Sequence, residues 1–226
     1  MSQNCYNHVT LRARLIFALL ALSVACPAAT ELYSWHVFDA RLFSTNRFEL
    51  AAHHRTRSRH DFSYFDQARF GVTFRFAVNP RLTVLGGYYF QPQQVRPHVW
   101  TKGQRPFLGL ETPLVKTKSS TVALRLVTER HIHTGRSNYT RNRTSVRWTM
   151  GTGRVRPFLQ NELLAVWPHF HSTRNSGGLS LRLNSELSMD LSYLYDSRRT
   201  FWGGDRQSLV TSLRWNPKFS AARKYK

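Results

Sequence analysis

The chain has 226 residues, with 33 Lys and Arg against 12 Asp and Glu, a formal net charge of +21 at pH 7, and two cysteines. That cysteine count excludes a small scaffold held by several disulfides, and the length suits one domain with a sizeable closed architecture. So basic a chain first suggests nucleic acid, since phosphate neutralisation drives such binding, but the arginines are spread through alternating segments and no nucleic-acid partner is expected.

Residues 1–28 read as a signal peptide. Arg12 and Arg14 form a positive region, LIFALLALSVA (15–25) is an apolar run, and the small residues of CPAAT follow. The run is shorter than the roughly 20 apolar residues a spanning helix needs. Cleavage is expected after Ala25 or Ala28; in the second case Cys5 and Cys26 both leave with the peptide. Ser23-Val24-Ala25-Cys26 makes a poor lipoprotein box because Leu usually holds its first place. The signal contains two arginines and no acid, so the mature charge is about 21 − 2 = +19.

Residues 29–46 form an N-terminal lead-in containing TELYSWHVFDARLFSTN (30–46). A periplasmic lead, a strand in a larger closure of twelve, or a plug would each accommodate it.

From 47 to 215 the period is two almost throughout. Ten segments alternate in this way: 47–57, 67–77, 81–91, 104–113, 121–131, 140–150, 154–166, 174–183, 186–196 and 206–215. Lengths near ten residues match the 9 to 11 that a tilted strand needs to cross a bilayer. Connections alternate too. Short turns at 78–81, 114–120, 151–153 and 184–186 stand against longer polar stretches at 58–66, 92–103, 131–139, 167–173 and 197–205. Short turns on one rim and long loops on the other characterise an outer-membrane barrel, with the short set periplasmic. The expected fold is therefore all-β: an antiparallel up-and-down transmembrane barrel of about ten strands, with twelve as the alternative. A basic C-terminal tail, 216–226, follows it.

Alternation also assigns faces. Phe70, Val72, Phe74, Phe76, Leu126, Val146, Leu191 and Leu209 belong to the outward set. Arg69, Arg75, Arg125, Glu129, Arg143, Arg147, Arg156, Glu162, Arg182, Asp190 and Arg214 fall on the other side and form the expected lumen charge network. A charge on the lipid side costs about 2 to 4 kcal/mol at the midplane, so this set must point inward. Aromatic residues bunch at segment ends, as in Tyr88-Tyr89-Phe90, Trp148, Trp167, Tyr193, Tyr195, Trp202 and Trp215, where amphipathic rings suit membrane interfaces.

RLVTERHIHTGRSNYTRNRTSVRWTM (125–150), with RVRPFLQNELLAV and RNSGGLSLRLNSELSMDLSYLY after it, resembles an uncharacterised bacterial domain-of-unknown-function family whose members look like small outer-membrane β-barrels. The resemblance rests on an acid and Arg ending one strand (Glu129, Arg130), an Arg-alternating strand (Arg141, Arg143, Arg147) and a strand with Arg156, Pro157 and Glu162. It implies the fold and no activity. Many such barrels end on an aromatic residue read by the assembly machinery; here Trp215 is followed by NPKFSAARKYK.

An enzyme reading finds no intact Ser-His pattern. In ERHIHTGRSNYTRN a hydrolase resembling outer-membrane phospholipase would carry Ser two residues after His131, but His133 stands there, and Ser137 lies six residues on. The pairs His53-His54, His131 with His133, and His169 with His171 are explained as exposed loop histidines more cheaply than as metal ligands. No catalytic residue, metal or cofactor is expected. Three functions compete: an outer-membrane barrel, structural and adhesive or a narrow anion-preferring pore with an Arg/Glu-lined lumen; an outer-membrane lipid-modifying hydrolase; and a soluble periplasmic lipid-binding barrel. About eight strands leave a filled interior and 16 to 18 a channel, so ten favour a filled lumen. Expected partners are outer-membrane lipids, including anionic lipopolysaccharide, and the barrel assembly machinery.

Overall fold

The alternating segments become strands in a computed structural model that describes residues 32–59, 64–96, 99–135, 137–198 and 204–217. Signal cleavage, both cysteines, Trp202 and residues 218–226 of the tail lie outside the described residues. Among those described, eleven strands occur: β1 (Leu32–Ser44), β2 (Phe48–Arg59), β3 (Tyr64–Asn79), β4 (Leu82–Arg96), β5 (Val99–Lys116), β6 (Ser120–His133), β7 (Tyr139–Met150), β8 (Val155–Val166), β9 (His169–Arg182), β10 (Leu187–Arg198) and β11 (Arg206–Trp215). Each pairs with its neighbour in sequence, and β1 meets β11 to close a barrel.

The lead-in is thus corrected: Leu32–Ser44 is a barrel strand. Its inclusion makes the number odd, one more than the ten expected, and up-and-down alternation around an odd ring requires one parallel pair. That pair is β1 with β11, in register from Leu32 opposite Gln207 to Ala40 opposite Trp215. Every other pairing is antiparallel.

The connections fall on two rims. The turn rim carries residues 45–47, 80–81, 117–119, 151–154 and 183–186, and the loop rim is where β2 ends and β3 begins, and likewise β4 and β5, β6 and β7, β8 and β9, and β10 and β11. Two loops expected at 92–103 and 167–173 shrink because pairing continues through them, Pro92 lying opposite Lys102 and Thr173 opposite Leu163. The barrel therefore extends strands where long loops were expected; β3, β4 and β5 run 16, 15 and 18 residues, beyond the 9 to 11 of a single crossing. Asp205, in the last connection, accepts hydrogen bonds from the Tyr195 hydroxyl and the Arg198 amide, which hold its carboxyl below the usual range.

Gly151 turns the chain from β7 to β8 with φ of +84°, a left-handed conformation that a Cβ disfavours although nothing else crowds the position. Gly151→Ala is expected to lower stability by about 1 kcal/mol in urea titration of the refolded barrel, with Gly151→Asn losing less. Equal stability of both variants with the parent would refute a backbone role.

The two faces separate as pattern demands. Phe70, Val72, Phe76, Leu108, Leu126, Val146, Leu191 and Leu209 are exposed on the outer surface. Phe74 is half-buried there because its ring lies over Gly86, 2.6 Å from where a Cβ would stand. Inside, Leu85, Tyr89, Phe107 and Val127 form a small apolar cluster, with Tyr89 and Phe107 stacked at 4.8 Å. Gly87 makes this possible: a Cβ there would stand 2.8 Å from the Phe107 ring. The interior of this barrel is thus an apolar patch within an ionic filling, and that filling is where chemistry concentrates.

Candidate functional site

Alternation on β5 to β10 sends Arg105, Glu129, His131, Arg141, Arg143, Glu162, Arg174 and Asp196 into the lumen. Glu129 is 1% exposed and lies at the centre of the group. It accepts hydrogen bonds from Arg141 Nη2 at 2.6 Å and Arg143 Nη1 at 2.7 Å, while Arg105 Nη1 lies at 3.7 Å and His131 Nε2 at 3.1 Å. Arg143 reaches on to Glu162, which also lies 3.5 Å from Arg174; Arg174 then stands 3.2 Å from Asp196, and Arg198 donates to Asp196 at 2.6 Å. Carboxylates and guanidinium groups thus alternate in one connected layer on the loop-rim side. Removing such charges from water is costly, so they persist only because each is paired with the others.

Neighbouring side chains complete the layer. Arg57 donates to the buried Asp66, and Arg69 donates from Nε and Nη2 to Gln91 Oε1 at 3.0 and 2.8 Å. β1 supplies aromatic faces: Arg55 and Arg174 lie over Trp35 at 4.8 and 5.4 Å, and Arg57 and Arg206 over Tyr33 at 5.8 and 5.1 Å. Ring faces attract cations, and here they receive arginines that also keep a carboxylate, Arg57 and Arg174, as well as Arg55 and Arg206. Leu164, Ser172 and Ser208 are almost fully buried among these groups, so the lumen is filled at this level.

Toward the turn rim the lumen opens into a cavity of about 690 Å³. Its wall includes Gly151 of the β7–β8 turn and Asn216 just beyond β11, and it reaches inward to His53, Tyr89, Phe107, Arg143 and Glu162. The space is a cup, with the ionic layer as its floor. Pairs line it: Arg41 with Glu49 at 3.0 Å, Arg75 with Glu111 at 2.6 Å, Arg147 with Asp190 at 2.8 Å, and His53 with Asp39 at 2.7 Å. Arg147 crosses the Phe158 ring at 3.8 Å to reach Asp190.

The structure places the expected lumen residues as follows. Arg143 and Glu162 join the floor and cup, Glu129 and Arg69 lie in the buried layer, and Arg75, Arg125, Arg147, Arg156, Asp190 and Arg214 line the cup. Arg182 shares their parity but sits exposed at the turn rim, outside the cavity wall. Sequence reasoning missed Arg105, Arg141, Arg174, Asp196 and His131 as members of the buried layer. Their inward parity was readable for Arg141, two residues before Arg143, whereas Arg105 and Arg174 stood at segment ends taken to border loops.

The histidines also need correction. His131 is a strand residue 1% exposed, stacked on Tyr139 at 4.3 Å, and His53 points into the cup. Exposed loop positions describe neither: His53 lies mid-strand on the inward face of β2, and β6 runs on to His133, past His131. Ser137 is exposed in the β6–β7 connection, and no hydrogen bond joins it to His131 among the described residues. No group of three His, Cys, Asp or Glu suited to a metal ion occurs among them either.

A family profile described as protein of unknown function (DUF2490) matches residues 33–207. No curated protein matches the chain. Among solved structures, one titled "NanC porin structure in rhombohedral crystal form" is similar at 11% identity, with a TM-score of 0.47, covering 73% of this chain and 86% of that one.

Proposed function

We propose that this chain, which belongs to the DUF2490 family, is an outer-membrane β-barrel whose lumen is closed by its buried ionic layer and open as a cup at the turn rim. The observation that carries this reading is the segregation of charge across the wall. On β7, Val146 and Trp148 are exposed outside while Arg143 and Arg147 turn inward to carboxylates. A soluble barrel has no reason to expose Phe70, Val72, Phe76, Leu108 and Leu126 together, whereas a lipid-facing wall requires it.

In this reading the turn rim faces the periplasm and the loop rim faces outward. Anionic lipopolysaccharide then surrounds the outer half, and the barrel assembly machinery inserts the chain after export. The filled layer favours a structural or solute-binding role over a resting pore, since conduction needs a continuous aqueous path.

Two measurements test the reading together. The untagged protein is expected in the outer-membrane fraction, migrating faster on detergent gels before heating than after, and it is expected to show no stepwise conductance in planar bilayers. Release by osmotic shock without detergent sinks the membrane assignment; a steady open conductance sinks the closed lumen.

A further inference from the structure

We infer that the cup binds a small solute carrying two or more acidic groups, held by Arg125, Arg156 and Arg214; this deepens the reading of the lumen as a closed-ended cup.

Seven arginines line the cavity: Arg41, Arg75, Arg125, Arg143, Arg147, Arg156 and Arg214. Four of them, Arg41, Arg75, Arg143 and Arg147, are each within 4.0 Å of a carboxylate. The side chains of the other three have no ion pair within 4.0 Å and no hydrogen bond among the described residues, and Arg156 Nε is buried without a hydrogen-bond partner.

The three share one circumstance. Arg125 stands directly across from Glu111, but Glu111 is held by Arg75. Arg214 stands across from Asp39, which is held by His53. Arg156 lies in one row with Ser180 and Asp190, and Asp190 is held by Arg147. Each nearby acid is hydrogen-bonded elsewhere, so the fold leaves three guanidinium groups on the cavity wall without a side-chain hydrogen-bond partner, Arg156 half-buried and Arg125 and Arg214 exposed to the lumen. A guanidinium in such surroundings gains from a carboxylate or phosphate that can accept two parallel hydrogen bonds.

The three come from β6, β8 and β11, on separate parts of the wall, so one small monovalent anion cannot satisfy all of them. A solute with acidic groups at two or more positions can. The volume of about 690 Å³ suits it, lying within the roughly 300–1,000 Å³ of small-molecule sites. Tyr89 and Phe107 offer apolar contact deeper in the same cup.

The test uses the full processed barrel, refolded in detergent at low salt, and isothermal titration with pyrophosphate, citrate and acetate. Saturable binding of one equivalent is expected for pyrophosphate, citrate or both, with acetate far weaker. Binding of pyrophosphate alone assigns a phosphorylated solute and of citrate alone a polycarboxylate. Joint replacement R125Q/R156Q/R214Q is expected to weaken binding at least about tenfold, since charge-assisted hydrogen bonds are lost. R182Q, outside the cavity wall, is expected to leave it unchanged. If the triple variant does not fold, each single variant is measured and is expected to weaken binding. No saturable binding of either polyanion, or binding indifferent to these arginines, overturns the site. Conductance of the same preparation is read separately: an open channel with arginine-dependent binding overturns the closed lumen and leaves the site standing.

Discussion

Glu129→Ala is expected to lower the stability of the folded barrel by about 3–5 kcal/mol, measured by urea unfolding in detergent or lipid. The magnitude follows from what the alanine leaves behind. Glu129 is the acceptor for Arg141 and Arg143, with Arg105 and His131 alongside, all in the filled half of the lumen. Without the carboxylate several guanidinium groups lose their common counter-charge at a position that is 1% exposed. Glu129→Gln keeps the shape and one acceptor oxygen, so its loss is expected to be smaller. The surviving Glu129→Ala barrel is expected to conduct, because repelling arginines swing apart and admit water, and to prefer anions, because arginine then dominates the lining. A variant as stable as the parent and equally closed would falsify the ionic layer as the plug.

Arg placed on the two faces of β7 gives the second large effect. Val146→Arg puts a cation on the outer wall, where the residue is 37% exposed between Thr144 and Trp148, and is expected to cost about 2–4 kcal/mol in a lipid bilayer. Thr149→Arg places the same side chain on the cup wall near the turn rim, and a change under about 1 kcal/mol is expected there, since a surface-like position away from packed features tolerates substitution. The contrast is to be measured by folding into vesicles. It is expected to shrink for Val146→Arg in detergent, where the head can reach water. Equal cost on both faces in vesicles removes the argument that one side of the wall meets lipid.

Much of this barrel was legible in period and parity. The alternation Arg141, Arg143, Ser145, Arg147 against Asn142, Thr144, Val146, Trp148 permits only a strand with one wet and one dry side. Because the side-chain period of a strand is two, every such segment assigned its own faces before any partner was known. The segment 30–46 resisted the same treatment. LYSWHVFDARLFS mixes aromatics on both parities, with Tyr33 and Trp35 pointing inward and Phe38 outward, so its pattern fits several fates. Pairing with β11 decides it, and that pairing spans most of the chain length.

The loop lengths illustrate the opposite error. PQQVRPHVWTKG has the prolines and polar residues of a loop, yet Gln91 to Lys102 largely continues the β4–β5 ladder. Local turn chemistry sets a preference, and cross-strand hydrogen bonding overrides it where two long strands stay in register. The same extension moved His131 from an expected loop into the buried layer.

By itself the sequence determined a chain of antiparallel strands, their approximate limits, and the side of the wall on which most arginines stand, because these depend on local period. Tertiary structure alone decided how many strands close, that β1 and β11 run parallel, and which acid each arginine meets. Those are contacts between distant segments, fixed by register and shear around a ring. A period of two says that Arg125 and Arg143 both face inward, but only closure gives Glu129 and Glu162 to Arg143 and leaves Arg125 beside an acid already taken by Arg75.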